Sequence, residues 1–449
     1  MLLVAVLIAV FVVPLSVSGT AVALADIAAS LGESAVGQQW ALNGFNITFA
    51  ASTLAWGSLA DRIGRWVSFQ LGVVVFIAGS VVSVLAPNYL ILDAARILAG
   101  LGAGAVFSVG SALLSVVYTG TGRARVFSLL GAMAGLALAF GPTICGFLTG
   151  ALSWQAIFAI QGGLLSISLV LMLGTRGLLH GEPRSTAPFD WPAAILFFIA
   201  TASLVAALVT GSDTGWVSAP VIALVAVTVF AFAALMWWER RTEHPLLDFA
   251  LIRHPRFLGV TLVVAVASFT FAAIVTYTPA LVQAIYGLTP AGSGMFVMFM
   301  TLPTLAMPLI AGALVVRKIP ARNVLTVSVI LMAAGAGLVA AGAVVSVWLL
   351  APAMMLLGAG FGMHAGLVDN EGLAAAPDED AGMAAGWINT IRVGTEAIAV
   401  ALFGAIFIPA LTTDSPASAF SAITLASTIL ALLLAIISIH AMRRHSEPD

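Results

Sequence analysis

The stretch "GSLADRIGRW" (residues 57–66) packs three charged side chains, Asp61, Arg62 and Arg65, into ten positions between two long apolar runs. About 20 mostly apolar residues cross the hydrocarbon core of a bilayer as a helix. The runs at 38–60 and 66–86 each reach that length. Residues 57–66 therefore read as a short charged turn joining two membrane helices, and the rest of the chain repeats the theme.

Of 449 residues, 61% are hydrophobic and only 8% are charged, and the mean hydropathy is +1.13. Soluble domains carry about 25% charged residues, so the main solvent of this chain is lipid. With a formal net charge of −2 and no basic, aromatic-rich patch, nothing points to nucleic acid. The one cysteine, Cys145, rules out a disulfide framework or a cysteine-built metal site. Six histidines show no metal-ligand spacing, and no nucleophile–base pair or phosphate loop is present. Neither an enzyme nor a cofactor or metal is expected.

Applied along the chain, the length criterion yields fourteen spans, the first near 3–25 and the last near 418–441. The opening "MLLVAVLIAVFVVP" lacks the charged start and cleavage site of a signal peptide, and reads as part of the first span. Charge tests the count. With the N-terminus inside, the cytoplasmic connections hold Arg62, Arg65, Arg123, Arg125, Arg176, Arg184, Arg240, Arg241, Arg253, Arg256, Arg317, Lys318, Arg322, Arg443 and Arg444. That is fifteen of the seventeen basic residues, with none in an opposite-side loop. The positive-inside rule demands this asymmetry, so both termini are expected in the cytoplasm. Arg96 and Arg392, the remaining two, lie within spans. Polar connectors then suggest a six-helix bundle over 1–175, an inserted helix pair over 186–240 and a second six-helix bundle over 257–442. Bundles of this kind commonly hold a substrate site between them.

Three motifs carry a family resemblance. The turn has the form G-x-L-A-D-R-x-G-R, built from Gly57, Asp61, Arg62, Gly64 and Arg65. "RILAGLGAGAVF" (96–107) leads a glycine-rich face with Arg96, and Asp93 lies one turn before it. "GAMAGLALAFGPTICGFLTG" (131–150) has Gly141, Pro142 and Gly146 in a G-P-x-x-G-G-like order, with Cys145 in place of one glycine. Together they resemble the signature loop, fourth-helix motif and antiporter motif of the major facilitator superfamily. The inserted pair and the central "WWERRTEHPLLDFALIRHPRF" resemble its fourteen-helix drug:proton antiporter family. The resemblance implies an all-α membrane fold with two six-helix bundles, alternating access, and a gating latch at Asp61.

Departures from the resemblance matter for mechanism. The first helix of that family usually carries an aspartate, yet "LSVSGTAVALAD" (15–26) has Ser16 there. Asp26, near the outer end, is a possible substitute. Arg392 matches an arginine usual in the family, whereas Glu396 falls where a small residue is usual. On a helix, Ala385, Asn389, Arg392 and Glu396 share one face. At 1.5 Å per residue Glu396 lies about 22 Å from a helix start near Ala381, past the midplane. Burial and a neighbouring arginine pull a carboxyl's protonation in opposite directions. Glu396 is thus the candidate proton carrier, with Arg392, Arg96 and Asp26 as its partners in coupling. A permanent Arg392–Glu396 ion pair, and an Arg96–Asp93 pair, are the structural alternatives. Asn43, Phe45, Asn46 and Asn389 are candidate cavity residues, while Asp369 and Glu371 are weaker candidates at the inner mouth.

The function these readings imply is proton-coupled export of an amphipathic, hydrophobic or cationic compound from a bacterial inner membrane. Export of a lipid or endogenous metabolite, without tight proton coupling, is the second reading. Expected partners are the small-molecule substrate, protons and membrane lipids, with the chain acting as a monomer.

Overall fold

A computed structural model describes residues 1–32, 35–175, 177, 188–242, 251, 254–288, 290–377, 381–410 and 416–443. Arg176, Arg184, Arg253 and Arg444 lie outside the described residues, as do positions 186–187 at the expected start of the inserted pair. The described chain forms fifteen α-helices. The first six are α1 (Leu2–Leu31), α2 (Ala35–Ile63), α3 (Arg65–Val84), α4 (Tyr89–Val117), α5 (Gly120–Ala151) and α6 (Gln155–Leu173). Next come α7 (Trp191–Thr214) and α8 (Ala219–Glu239). The remainder are α9 (Pro255–Tyr286), α10 (Pro290–Val316), α11 (Ala321–Val345), α12 (Val347–His364), α13 (Leu367–Ala374), α14 (Ala381–Ala410) and α15 (Pro416–Arg443).

Local chemistry sets several boundaries. Asn88 accepts the Ile91 N–H at 3.1 Å to start α4, and Asp190 accepts the Ala193 N–H at 3.0 Å to start α7. Such caps satisfy backbone donors that a helix start leaves free. Gly64 separates α2 from α3 by a single residue at φ +98°, a conformation that costs glycine nothing and other residues a great deal.

Twelve of these helices are long and apolar enough to cross a membrane: α1, α3 to α11, the α12–α13 unit and α15. Their outer faces keep large apolar side chains exposed, such as Phe230 on α8 and Leu433 and Ile436 on α15, as lipid contact requires. Helices α2 and α14 are just as long, 29 and 30 residues, but are not among the twelve. Both carry polar groups in their interiors, Asn43 and Asn46 on one, Asn389, Arg392 and Glu396 on the other. The two pack against each other along the seam between the bundles.

Helices α1 to α6 form one bundle, in which α4 packs on α2 and α3 while α1 packs on α5 and α6. Helices α9 to α15 form a second, with α12 against α10 and α11 and α15 against α9 and α11. The bundles meet along α2–α14 and α5–α10, and α7 lies against both α2 and α14. Apolar attraction does not drive helices together in lipid, so small residues that let backbones approach do much of the work. At the α3–α4 contact, a side chain at Gly79 or Gly102 would strike the facing backbone.

Candidate functional site

The signature turn closes one end of the seam between the bundles. Asp61 is buried at the end of α2, and its two carboxylate oxygens accept the Gly382 and Met383 N–H groups at 2.9 and 2.8 Å. These are free donors of the first turn of α14, where a helix dipole also favours negative charge. Arg65, fully buried, donates to Asp61 at 3.0 Å. One turn back, Gly57 and Gly382 face each other so closely that a side chain on either would overlap the other's carbonyl oxygen. Further in, the Thr53 and Thr390 hydroxyls meet at 2.8 Å. Arg62 points outward instead, donating to the Pro188 carbonyl at 3.2 Å and lying over the Phe189 ring just before α7.

The α5 side of the seam closes at the same end. A side chain at Gly131 would meet Ala365, and one at Gly135 would meet Thr304. Arg123 donates to the Asn370 carbonyl at 3.3 Å, and Gly366, at φ +73°, lies against the Phe127 carbonyl. The short helix α13 is thereby held between the bundles.

Within the first bundle, Arg96 is fully buried and has no carboxylate partner among the described residues. Its guanidinium donates to the Ser16 Oγ at 2.8 Å, the Ser16 carbonyl at 3.4 Å and the Ala41 carbonyl at 3.1 Å. It also lies over the Phe45 ring at 4.4 Å and the Phe158 ring at 5.4 Å. The arginine is therefore held by neutral oxygens and π faces, and the alternative of an Arg96–Asp93 ion pair is not seen.

In the second bundle, Arg392 donates from one nitrogen to both oxygens of Asp369, at 3.0 and 3.1 Å, and to the Asn389 side-chain oxygen. Asn389 in turn donates to the Ala385 carbonyl at 2.9 Å, which fixes its orientation. Glu396, partly buried, has Arg392 and Ser268 as its polar neighbours but forms no ion pair with that arginine. The intrahelical Arg392–Glu396 pair is thus replaced by a link from α14 to α13. His364, buried at the end of α12, faces the same arginine and has its Nδ1 beside the Phe361 carbonyl.

Residues 6–400 match the sequence pattern of the Major Facilitator Superfamily. The chain belongs to that superfamily. Its members are transporters rather than enzymes. Among its relatives is the multidrug resistance protein Stp of Mycobacterium tuberculosis (strain CDC 1551 / Oshkosh). The two are 28% identical over 387 residues, covering 86% of this chain and 71% of that protein. The methylenomycin A resistance protein of Streptomyces coelicolor (strain ATCC BAA-471 / A3(2) / M145) is 30% identical over 405 residues, covering 87% and 82%. The crystal structure of the human organic anion transporter MFSD10 (TETRAN) matches with a TM-score of 0.70 over 97% of this chain and 98% of that chain. At 13% identity that likeness is one of fold.

In this facilitator chain the residues singled out from sequence separate into distinct places. Gly57, Asp61, Gly64 and Arg65 lie together at the seam, while Arg62 braces the approach to α7. Gly141 faces Ser18 and Gly146 faces Val22, so the Gly141-Pro142 motif packs α5 on α1. Pro142 itself is exposed. Asp26 is exposed on α1 and joins no cluster among the described residues. Asn43 and Asn46 are partly exposed on α2, whereas Phe45 and Asn389 are enclosed, one beneath Arg96 and the other beneath Arg392. His364, Ser268, Thr53 and Thr390 carried no signal in the sequence, since a lone polar residue in an apolar helix has many bland uses. Tyr277 and Gln283 show such uses, bonding the Val400 carbonyl and the Ser293 hydroxyl at 2.9 Å each.

Proposed function

We propose that this chain is a proton-coupled drug exporter that moves amphipathic hydrophobic or cationic compounds out of the cell by alternating access. All fourteen long helices span the membrane in this reading, with α2 and α14 shielded between the bundles and both termini in the cytoplasm. The units are the bundle at 1–175, the inserted pair at 186–240 and the bundle at 257–442, acting as a monomer in a bacterial plasma membrane. The Asp61 end is then cytoplasmic, and the contacts closing it leave the protein shut on the inside. Relatives named for multidrug and methylenomycin A resistance support the export reading.

The observation that carries proton coupling is Glu396, an acidic side chain within the second bundle that Arg392 does not neutralise. A carboxyl in that setting is free to take a proton from one side and return it to the other. Substrate would occupy the seam between the bundles, with Asn43 and Asn46 on its α2 wall.

Reconstitution into proteoliposomes with an imposed pH gradient tests this, using a lipophilic fluorescent cation as probe. Wild type should export the dye in exchange for protons flowing the opposite way down the imposed gradient, and Glu396→Gln should abolish this gradient-driven export. Undiminished gradient-driven transport by the variant would refute the proton-carrier role. The second reading, an exporter of a lipid or endogenous metabolite without tight coupling, draws on Ser16 in place of the usual carboxylate beside Arg96. It predicts dye export that is absent or indifferent to the gradient in the wild type.

A further inference from the structure

Asp369 belongs to α13, and α13 is held between the bundles at the closed end. Arg123 of α5 reaches the Asn370 carbonyl, Gly366 lies on the Phe127 backbone, and Glu371 pairs with Arg256 of α9 at 2.8 Å. The same short helix supplies the carboxylate that engages Arg392, with side-chain exposures of 16% for the arginine and 7% for the aspartate. Arg392 and Glu396 are four residues apart on α14, within side-chain reach of each other. One arginine therefore has two candidate acids, and the one it holds here is attached to the gate.

We infer that Asp369 is a positioning residue of the transport cycle: it keeps Arg392 away from Glu396 while the Asp61 end is closed, and surrenders it when that end opens. Separation of the bundles at α5 removes the Arg123 and Phe127 contacts that hold α13 in place, and α13 then shifts within its own bundle and carries Asp369 off Arg392. Arg392 then turns one helical step to Glu396. A cation beside a carboxyl favours its charged form, so the proton on Glu396 passes to water on the Asp61 side. On closure Asp369 recaptures Arg392, and Glu396 is again able to take a proton from the opposite side. Gate position thus decides which side of the membrane the proton leaves toward. Among the described residues, the other charged or polar groups facing this cluster are His364 from α12, Ser268 from α9 and Asn389 from α14. His364 meets the ring of Phe361 at 4.8 Å and lends no carboxylate that would compete for the arginine.

This inference rests on Glu396 carrying the proton, and its test separates the two. The pH profile of gradient-driven dye export is measured in proteoliposomes for wild type, Asp369→Asn, Asp369→Glu and Arg392→Gln. Asp369→Asn frees Arg392 for Glu396 even with the gate closed, so its profile should move to lower pH by about one to three units. Asp369→Glu should keep the wild-type profile. Arg392→Gln should lose gradient-driven export yet retain dye counterflow, because Glu396 no longer discharges its proton. An Asp369→Asn variant slowed equally at every pH would overturn the inference, as would Arg392→Gln with intact gradient-driven export. If Asp369→Asn fails to fold, the Arg392→Gln comparison decides alone. Gradient-driven export surviving in Glu396→Gln would refute the underlying reading instead.

Discussion

Asp61 and Gly382, 321 residues apart, are joined by a 2.9 Å hydrogen bond from the Gly382 N–H to the Asp61 carboxylate. One side chain of the first bundle thereby completes the first turn of a helix in the second. Hydrogen bonds to charged groups contribute about 1.5–3 kcal/mol each. Asp61→Asn removes the charge that makes both bonds strong, and takes the ion partner from buried Arg65. The Asp61 end should open about tenfold more often, for a loss near 1.4 kcal/mol. Since Cys145 is the chain's one cysteine, a Cys145→Ala background allows a Thr390→Cys reporter. Its labelling by an impermeant maleimide from the Asp61 side should rise in Asp61→Asn, and an unchanged rate would show the latch to be idle.

Backbone proximity makes a second, sharper prediction. Gly57→Ala places a methyl group on the Gly382 carbonyl, and neither backbone has slack to yield. The variant should fold, bind dye and fail to close, so equilibrium binding survives while export falls by at least tenfold. Gly122→Ala is the control, because nothing lies within 4 Å of a side chain added there. Full export by Gly57→Ala would mean that this contact is not needed for the cycle.

The buried Arg96 predicts an energetic effect rather than a gating one. Ser16→Ala deletes the 2.8 Å acceptor and leaves a guanidinium N–H facing a methyl group. An unsatisfied buried donor costs about 1–3 kcal/mol, which thermal unfolding in detergent should register as a lower midpoint. Ser16→Asp supplies a charged acceptor to a cation that has none among the described residues, and should unfold no earlier than wild type. Equal midpoints for Ser16→Ala and wild type would show that Phe45 and Phe158 suffice to hold the arginine.

Much of the architecture was legible because lipid imposes a strict rule on composition. Long apolar runs had to be helices, and charged turns such as 57–66 had to separate them. The resemblance of 57–66 to a family motif singled out Asp61, and the structure seats that carboxylate on the Gly382 and Met383 N–H groups at the start of α14. The partners of Arg392 and Arg96 were not legible. Helical spacing places Asp93 near Arg96 and Glu396 near Arg392, and in both cases the arginine turns to another helix. A long, flexible side chain with a forked donor set has more reach than i, i+3 or i, i+4 spacing describes.

By itself, then, the amino-acid order determined where the helices run, where the turns fall, and that two arginines and Glu396 had to find shelter inside the protein. Lipid cannot solvate charge, and that exclusion acts on composition before any packing is chosen. Only the tertiary structure decided who shelters whom: Ser16 and Ala41 for Arg96, Asp369 and Asn389 for Arg392, and the start of α14 for Asp61. The Ser16 and Gly382 contacts depend on the angle and depth at which helices distant in sequence meet, and the Asp369 contact on how α13 folds back against α14. That geometry is set by the packing of whole faces, and no local spacing encodes it.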